Sequence, residues 1–160
     1  MDDMTLKSIG MVHNTRRGLD DDHWGNIVSE IRLDESLPAE SLEGIETFSH
    51  AEIIFFFHQV ADQGDFPLSR YPRGNKDWPK VGIFAQRNKD RPNHLGLTIV
   101  EVVKREGRSL FVKGLDAVDG TPVLDIKPVF AEFLPHTGVR QPEWSHELMK
   151  DYWNKIKSDL

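Results

Sequence analysis

The segment Ser49–Val60 constrains the fold more than any other part of the chain. Its centre, Ile53–Phe57, is an unbroken run of aromatic and β-branched residues. A stretch with two apolar faces is typical of a strand at the centre of a sheet or barrel. The run is far shorter than the roughly 20 apolar residues that a membrane-spanning helix needs. The segment therefore predicts a central β-strand.

Shorter apolar stretches at strand spacing predict the neighbours of this strand. Two of these stretches are joined by Glu106-Gly107, which is typical of a hairpin turn. The segment Glu143–Lys157 instead carries apolar residues at helical spacing after Pro142, so it predicts a helix. The further predicted strands are Thr5–Val12, Asn26–Leu33, Val81–Gln86, Leu97–Val103, Ser109–Lys113 and Val123–Ile126.

The order of these elements indicates the fold class. No repeat, low-complexity tract or linker divides the chain, so we expect one domain over residues 1–160, with a core over about 5–135 and a C-terminal helix over about 143–157. Strands and helices do not alternate as a doubly wound sheet requires. We predict a mainly β fold, a closed or nearly closed antiparallel β-barrel with short helical additions. One such addition is a helical turn at Pro38–Leu42, and Gln63–Pro79 is expected to be irregular.

The absence of cysteine excludes several kinds of chemistry. Thiolate catalysis, zinc knuckles and iron–sulfur clusters need Cys, so only His and carboxylates are left as metal ligands. His50 and His58 either join other histidines at a metal site or form hydrogen bonds beneath a pocket floor, and we expect no metal. The residues Met1–Met4 lack the pattern of a signal peptide. We expect a cytoplasmic protein with no membrane partner.

Charge is distributed unevenly along the chain. The net charge is −6, yet Arg70–Arg91 holds seven basic and two acidic residues, a local charge of +5. The overall balance argues against a protein that coats nucleic acid nonspecifically. The basic stretch either meets an anionic ligand at one place, such as a phosphate-bearing substrate, or is a solvated loop with charges on different sides.

Two polar segments interrupt the apolar pattern. In Arg87–Asn93, two arginines and an asparagine form either a clamp for a carboxylate or phosphate or an ordinary surface loop. In Leu115–Pro128, three aspartates and Lys127 stand among apolar residues, so the carboxylates are either paired or perturbed for acid–base chemistry. No glycine-rich dinucleotide motif, P-loop or nucleophile elbow occurs.

The same segments carry a family resemblance. The blocks Gly44–His50, Phe57–Gln59, Gly82–Arg87 with Arg91–Asn93, and Leu115–Pro128 resemble the TsaA-like (TrmO) family. The resemblance implies a β-barrel methyltransferase that uses S-adenosylmethionine. It also implies a homodimer with the cofactor in a cleft near the subunit interface, and N6-methylation of threonylcarbamoyladenosine at position 37, in the anticodon loop of a tRNA.

The resemblance further implies which residues contact the cofactor. These are Trp24, Gly25, Phe57, His58, Arg87, Leu97, Gly114, Leu115 and Asp116. Long members of the family carry a second, carboxy-terminal domain thought to help hold tRNA. Because this chain ends after one helix, two alternatives stay open: a methyltransferase for another RNA or a small acidic metabolite, and a cofactor-binding module without catalysis.

Methyl transfer itself suggests roles for the remaining polar residues. The N6 nitrogen must lose a proton, and we expect Asp119 or Asp125 to accept it, with Arg87 as a further catalytic residue. Positively charged and amide side chains would hold the threonyl carboxylate or a phosphate of the RNA. The residues expected to bind substrate are Arg91, Asn93, Arg73 and Lys127.

Overall fold

The computed structural model describes residues 2–60 and 66–155. Within these ranges the strands are β1 (Gly10–His13), β2 (Val28–Leu33), β3 (His50–Phe56), β4 (Ser69–Arg70), β5 (Val81–Gly82), β6 (Leu95–Glu106), β7 (Ser109–Lys113) and β8 (Pro122–Pro128). One α-helix, α1 (Glu143–Leu148), follows them, and short 3-10 helices lie at Ala39–Leu42, Ile45–Thr47, Pro72–Gly74, Ile83–Ala85, Pro92–His94 and Ala131–Phe133. No helix in the described part of the chain is long and apolar enough to cross a membrane.

Six of the strands close a barrel. Their order is β1–β2–β7–β6–β3–β8, and β8 pairs back to β1. Every neighbouring pair is antiparallel. The strands β4 and β5 form a separate two-stranded sheet. The prediction of a mainly β, closed antiparallel barrel is confirmed.

Inward side chains fill the barrel because successive residues of a strand point to opposite sides. On β3 the inward residues Ala51, Ile53 and Phe55 are at most 1% exposed. Gly96 of β6 makes room for the ring of Phe55, since a Cβ there would lie 2.4 Å from two ring atoms. The other strands complete the core with Val12, Ile31, Val100, Leu110, Val112 and Val123.

The outward face of β3 is apolar at Ile54 and Phe56, whereas its first half carries His50 and Glu52. Ile54 pairs with Leu97, and Phe56 pairs with Leu95, so these four side chains share the outer surface of β3 and β6. Phe56, Leu95 and Leu97 are 36–44% exposed. The second apolar face is therefore only partly covered within one chain.

Several strand predictions were wrong at their boundaries: Ser49–Val60 was predicted where β3 covers His50–Phe56, and Leu97–Val103 where β6 covers Leu95–Glu106. The first strand was predicted at Thr5–Val12 but begins at Gly10, because the preceding chain makes only isolated bonds, such as that from the Ile9 amide to the Val123 carbonyl. The predicted strand Val81–Gln86 contains only β5 and then turns into a 3-10 helix. The buried side-chain amide of Gln86 donates to the Val81 carbonyl across this turn, at 3.1 Å.

The C-terminal helix is shorter than predicted. It ends at Leu148 instead of Lys157, and the last two residues of the predicted helix lie outside the described residues. The Asp151 carbonyl accepts from the amide of His23, and the Tyr152 carbonyl from that of Trp24, at 3.2 and 2.8 Å. These long-range bonds replace helical ones, so tertiary contacts override the helical spacing.

Candidate functional site

One end of the barrel gathers most of the predicted cofactor residues. The register places His13 of β1 beside Glu30 of β2, and Val28 of β2 beside Lys113 of β7. At the same end, Phe56 of β3 lies beside Leu95 of β6. The loops that contain Trp24, His58 and Asp116 therefore meet here, and we call this region the site end. Of the predicted site residues, Asp125 and Lys127 lie away from it.

Asp116 is the most constrained carboxylate at the site end. Its Oδ1 accepts a hydrogen bond from the Thr98 hydroxyl, and its Oδ2 accepts one from the Tyr152 hydroxyl. Thr98 points into the barrel from β6 and is 5% exposed. Asp116 is thus hydrogen-bonded to a barrel residue through one carboxylate oxygen and to the segment after α1 through the other.

Tyr152 packs in a small apolar cluster beside the main core. Its neighbours in the cluster are Trp24, Ile27 and Val118, all of them buried. Burial and the negative charge of Asp116 raise the pKa of the Tyr152 phenol far above its usual value, although Arg87 acts in the opposite direction. The phenol therefore stays protonated and remains a hydrogen-bond donor to Asp116.

The Trp24-Gly25 pair contacts the segment after α1. A Cβ at Gly25 would lie 1.9 Å from the Trp153 carbonyl oxygen, so only glycine fits there. The guanidinium of Arg16 lies 4.2 Å from the centroid of the Trp24 ring and covers it as a cation–π contact. These contacts give the pair a structural role in this chain, in addition to the cofactor contact that the resemblance implies.

Arg87 lies at an open stretch of β6. The ladder between β6 and β7 covers only Glu101–Glu106, so the first half of β6 has no strand on that side within residues 2–60 and 66–155. Arg87 Nη2 donates to the Leu97 carbonyl there, at 2.5 Å. Leu97 directs its side chain outward, opposite to that of the buried Thr98. Arg87 and Leu97 therefore flank the site end from outside the barrel.

His58 carries an unpaired polar atom at the same end. It follows β3, and its Nδ1 is buried without a hydrogen-bond partner among the described residues. Its Nε2 lies 3.9 Å from where a Cβ at Gly120 would be. The preceding Phe57 packs edge-on against Phe55, with ring centroids 5.3 Å apart. A buried nitrogen without a partner is costly, which is consistent with a ligand that would supply one.

Asp119 is tied to the loop after β1. It accepts a 3.0 Å hydrogen bond from the Asn14 amide and forms an ion pair with Arg17, and His13 Nδ1 lies 3.9 Å away. The Asn14 amide, followed by Arg17, holds the pKa of Asp119 below its usual value. Asp119 is therefore ionised at neutral pH and lies at the edge of the site end.

Asp125 and Lys127 occupy the outer surface of the barrel. They pair with each other at 2.5 Å on β8, opposite Ile54 and Glu52 of β3. The partnership with Asp125 raises the pKa of the Lys127 amine. Both side chains are substantially exposed, at 43% and 59%. Of the predicted polar segment Leu115–Pro128, the structure thus brings only the first half to the site end.

Most arginines of the basic stretch have partners inside the protein. Arg70 pairs with Asp90 at 2.5 Å, and Arg73 pairs with Asp22 at 2.8 Å. Arg91 donates to the Gln86 carbonyl at 2.9 Å. Within the basic stretch Arg70–Arg91, the exposed basic side chains with no hydrogen-bonding or ionic partner among the described residues are Lys76, Lys80 and Lys89.

Asn93 and the histidines complete the predicted set. Asn93 is exposed and adopts a left-handed conformation, with φ of 63°, within a 3-10 turn. His50 starts β3 and is exposed, whereas His58 follows the other end of the same strand, so the two do not meet. Within the described ranges no three potential metal ligands are grouped together.

Three residues of the site end were missed by sequence reasoning. Thr98 lies in a predicted strand and belongs to no recognisable motif. Tyr152 and Trp153 lie in the segment whose apolar spacing predicts the C-terminal helix. No local signal marks the bond from Tyr152 to Asp116, because the two are 36 positions apart. The Gly25 contact with Trp153 is equally long-range.

The chain matches the family model of the tRNA-methyltransferase O N-terminal domain over residues 20–133. It belongs to this family. It is 45% identical to the tRNA (adenine(37)-N6)-methyltransferase of Escherichia coli over 105 residues, 61% of this chain and 43% of that protein. It is 32% identical over 145 residues to a probable S-adenosyl-L-methionine-binding protein of Archaeoglobus fulgidus, covering 89% of this chain and 38% of that protein.

Solved structures agree with the family assignment. The crystal structure of TrmO from Pseudomonas aeruginosa matches with a TM-score of 0.69 and 26% identity, covering 87% of this chain and 62% of that one. The chain spans less than half the length of the two curated relatives described above. The region matched to the TrmO N-terminal domain includes Trp24 and Asp116 but ends before α1 and Tyr152.

Proposed function

We propose that this chain is an S-adenosylmethionine-dependent tRNA methyltransferase that acts on N6 of adenine 37, with threonylcarbamoyladenosine as the modified base. The observation that carries the proposal is membership of the TrmO family together with the constrained Asp116 at the site end. A tRNA substrate would place the protein in the cytoplasm.

The residues of the site end suit the proposed cofactor. S-adenosylmethionine supplies an electrophilic methyl group on a positively charged sulfonium. The carboxylate of Asp116 has acceptor positions left for ligand hydroxyl or ammonium groups, beyond the two hydroxyls that it already binds. His58 Nδ1 offers a buried polar atom that has no partner among the described residues. Arg87 places a guanidinium at the open edge of β6, where it would bind a carboxylate.

The chain would contribute alignment and proton acceptance to the reaction. In-line transfer needs the acceptor nitrogen held against the methyl carbon, and such positioning accounts for several kcal/mol of a barrier. We assign proton acceptance to Asp119, because it is ionised and lies at the site end. Asp125 lies on the outer face, so it would serve only a site that a second subunit completes.

We also propose that the chain forms a homodimer through the outer face of β3 and β6. Phe56, Leu95, Leu97 and Ile99 share this face and are 36–48% exposed. Contiguous exposed apolar surface is typical of protein interfaces. Leu97 is bonded through its carbonyl to Arg87, so this face adjoins the proposed cofactor cleft. A dimer formed here would place that cleft near the subunit interface.

The proposed RNA contacts lie on the segments beside the site end. Lys76, Lys80 and Lys89 would meet phosphates, since their charges are exposed and unpaired in the described part of the chain. Arg91 and Asn93 would bind the threonyl carboxylate. Arg73 already pairs with Asp22, so it would bind RNA only by exchanging that partner. Lys127 would contact substrate only across a dimer interface.

Radioactive methyl transfer tests the proposal. Tritium-labelled S-adenosylmethionine is incubated with the protein and with tRNA from cells that make threonylcarbamoyladenosine but not its methylated form. Label should appear in the methylated nucleoside, and tRNA without the threonylcarbamoyl group should accept much less. Absence of transfer to a fully threonylcarbamoylated tRNA pool would refute the proposal.

The net charge of −6 favours a second candidate, a methyltransferase for a different acceptor. Only three lysines of the basic stretch are exposed and free of partners among the described residues, a weaker electrostatic footprint than its sequence suggests. Competition between tRNA and a metabolite extract for the labelled methyl group separates the two. Cofactor binding without any transfer would indicate a module that has lost catalysis.

A further inference from the structure

The segment that follows α1 turns back onto the site end. Residues 149–153 form successive turns in place of helix, and the carbonyls of Asp151 and Tyr152 accept hydrogen bonds from the amides of His23 and Trp24. The segment is thereby joined to the same loop that carries the predicted cofactor residues Trp24 and Gly25. It also lies outside residues 20–133, the region matched by the family model.

Gly25 shapes the surface that receives this segment, and Gly114 lies close to it. Gly25 lets the Trp153 carbonyl approach the backbone closely, since a Cβ at position 25 would lie 1.9 Å from the carbonyl oxygen. At Gly114, which has a left-handed φ of 81°, a Cβ would come within 4.0 Å of the Trp153 ring. The Trp153 ring packs edge-on against Tyr152, with centroids 4.9 Å apart. Of the predicted cofactor positions, Gly25 is therefore also in contact with Trp153, and Gly114 is close to the Trp153 ring.

Tyr152 connects the segment to the acid at the centre of the site end. The phenol donates to Asp116 Oδ2 while Thr98 donates to Oδ1, so both carboxylate oxygens have fixed directions. A carboxylate accepts about four hydrogen bonds, which leaves about two positions free for a ligand. Binding groups whose orientation is fixed before the ligand arrives lose less entropy on binding.

We propose that residues 151–153 form one wall of the S-adenosylmethionine cleft, and that Tyr152 is a positioning residue that orients the carboxylate of Asp116 toward the cofactor. The inference rests on the function proposed above. It extends the cofactor site beyond the matched family region, to a segment that the sequence pattern suggested was only a helix face. The opposite possibility is that this segment fills the cleft and must leave before the cofactor binds.

Hydrogen–deuterium exchange of the unmodified protein distinguishes a segment that forms a wall of the cleft from one that fills the cleft and must leave. The amides of residues 149–155, and those of His23 and Trp24, are followed with and without S-adenosylhomocysteine. A wall predicts slower exchange in both places on ligand binding, because the ligand packs against the segment. Faster exchange of residues 149–155 on binding would overturn the proposal, and so would unchanged exchange.

Calorimetry with Tyr152→Phe tests the positioning role. The change removes one hydroxyl and keeps the ring, so we expect S-adenosylmethionine to bind about tenfold more weakly, as loss of a hydrogen bond to a charged group implies. Tyr71→Phe is the matched control and should bind normally, since no hydrogen bond of the Tyr71 hydroxyl is formed within the described residues. Thr98→Val should weaken binding in the same direction, because it frees the other oxygen of Asp116.

Different outcomes point to different failures. If the unmodified protein binds no S-adenosylmethionine, the proposed function fails. If it binds, but Tyr152→Phe binds equally well while its thermal midpoint falls, then Tyr152 is only structural and the positioning role is refuted. If Tyr152→Phe does not fold, the exchange measurement on the unmodified protein decides the proposal by itself.

Discussion

Replacing Gly25 by alanine should release the segment after α1 from the barrel. The added Cβ would lie 1.9 Å from the Trp153 carbonyl oxygen and 2.9 Å from its carbonyl carbon, and both atoms belong to the backbone. Backbone cannot rotate away as the end of a side chain does. Gly25 is not in the left-handed region, so alanine adds no conformational strain of its own. The effect should come from this contact alone.

The magnitude follows from the bonds that the displaced segment would lose. The two backbone bonds to His23 and Trp24 contribute about 0.5–1.5 kcal/mol each, and the bond from the Tyr152 phenol to the Asp116 carboxylate about 1.5–3 kcal/mol. Conformational entropy regained by the released residues offsets part of this loss. We therefore expect the free energy of unfolding to fall by about 2 kcal/mol, roughly a thirtyfold change in the ratio of folded to unfolded protein.

Urea denaturation of the ligand-free protein measures this loss, and hydrogen exchange at Trp24 reports whether the segment has detached. Gly138→Ala is the matched control, because a Cβ there has no neighbour within 4 Å. The control should change stability by less than about 0.5 kcal/mol. If Gly25→Ala retains both full stability and slow exchange at Trp24, the contact does not hold the segment and the reasoning is wrong.

Three further predictions test the barrel, the loop after β1 and the outer face. Gly96→Ala should lower the free energy of unfolding by about 1–3 kcal/mol, because the new methyl group overlaps the buried ring of Phe55, and an unchanged thermal midpoint would contradict that packing. The lowered pKa of Asp119 means that its carboxylate stabilises the fold fully above the ordinary value near 3.8, and that this stabilisation is lost as pH falls through the lower folded-state pKa. Asp119→Asn should therefore reduce the steepness with which stability falls in acid. An equally steep fall in the variant would rule out this linkage. Ile99→Arg should shift sedimentation from dimer to monomer without changing the circular dichroism spectrum, and a dimer that persists would show that another surface is used.

Local patterns located the strands of the barrel, although not all of their boundaries. The alternation of β7 and the turn at Glu106-Gly107 predict a hairpin, and Gly107 does adopt a left-handed φ of 56° between β6 and β7. β3 was predicted as central because both of its faces are apolar, and it pairs on both sides. Which strands pair was not predictable, since β3 finds β8 across more than 60 residues and no local signal records that choice.

The site was only partly predictable for the same reason. Asp116 was one of three aspartates noted among apolar residues, and the family resemblance alone marked it as a cofactor contact. Its partners Thr98 and Tyr152 come from β6 and from beyond α1. The sequence left open whether the carboxylates of Leu115–Pro128 are paired, and the structure pairs Asp125 with Lys127, two residues away. A short-range ion pair can thus be one of the alternatives that the sequence indicates, whereas a contact that closes a pocket depends on how the barrel brings distant segments together.

The two candidate proton acceptors illustrate how the barrel separates residues that are close in sequence. Asp119 and Asp125 lie six positions apart, yet the turn before β8 keeps Asp119 at the site end while β8 carries Asp125 along the outer wall. Asp119 is bound to Asn14 and Arg17, so it is an ionised but weak base. A weak base suffices if the nitrogen has already gained the methyl group and carries positive charge, because its proton is then strongly acidic. Asp125, paired with Lys127 on the outer surface, acquires a role in proton transfer only where a second subunit is placed against that surface.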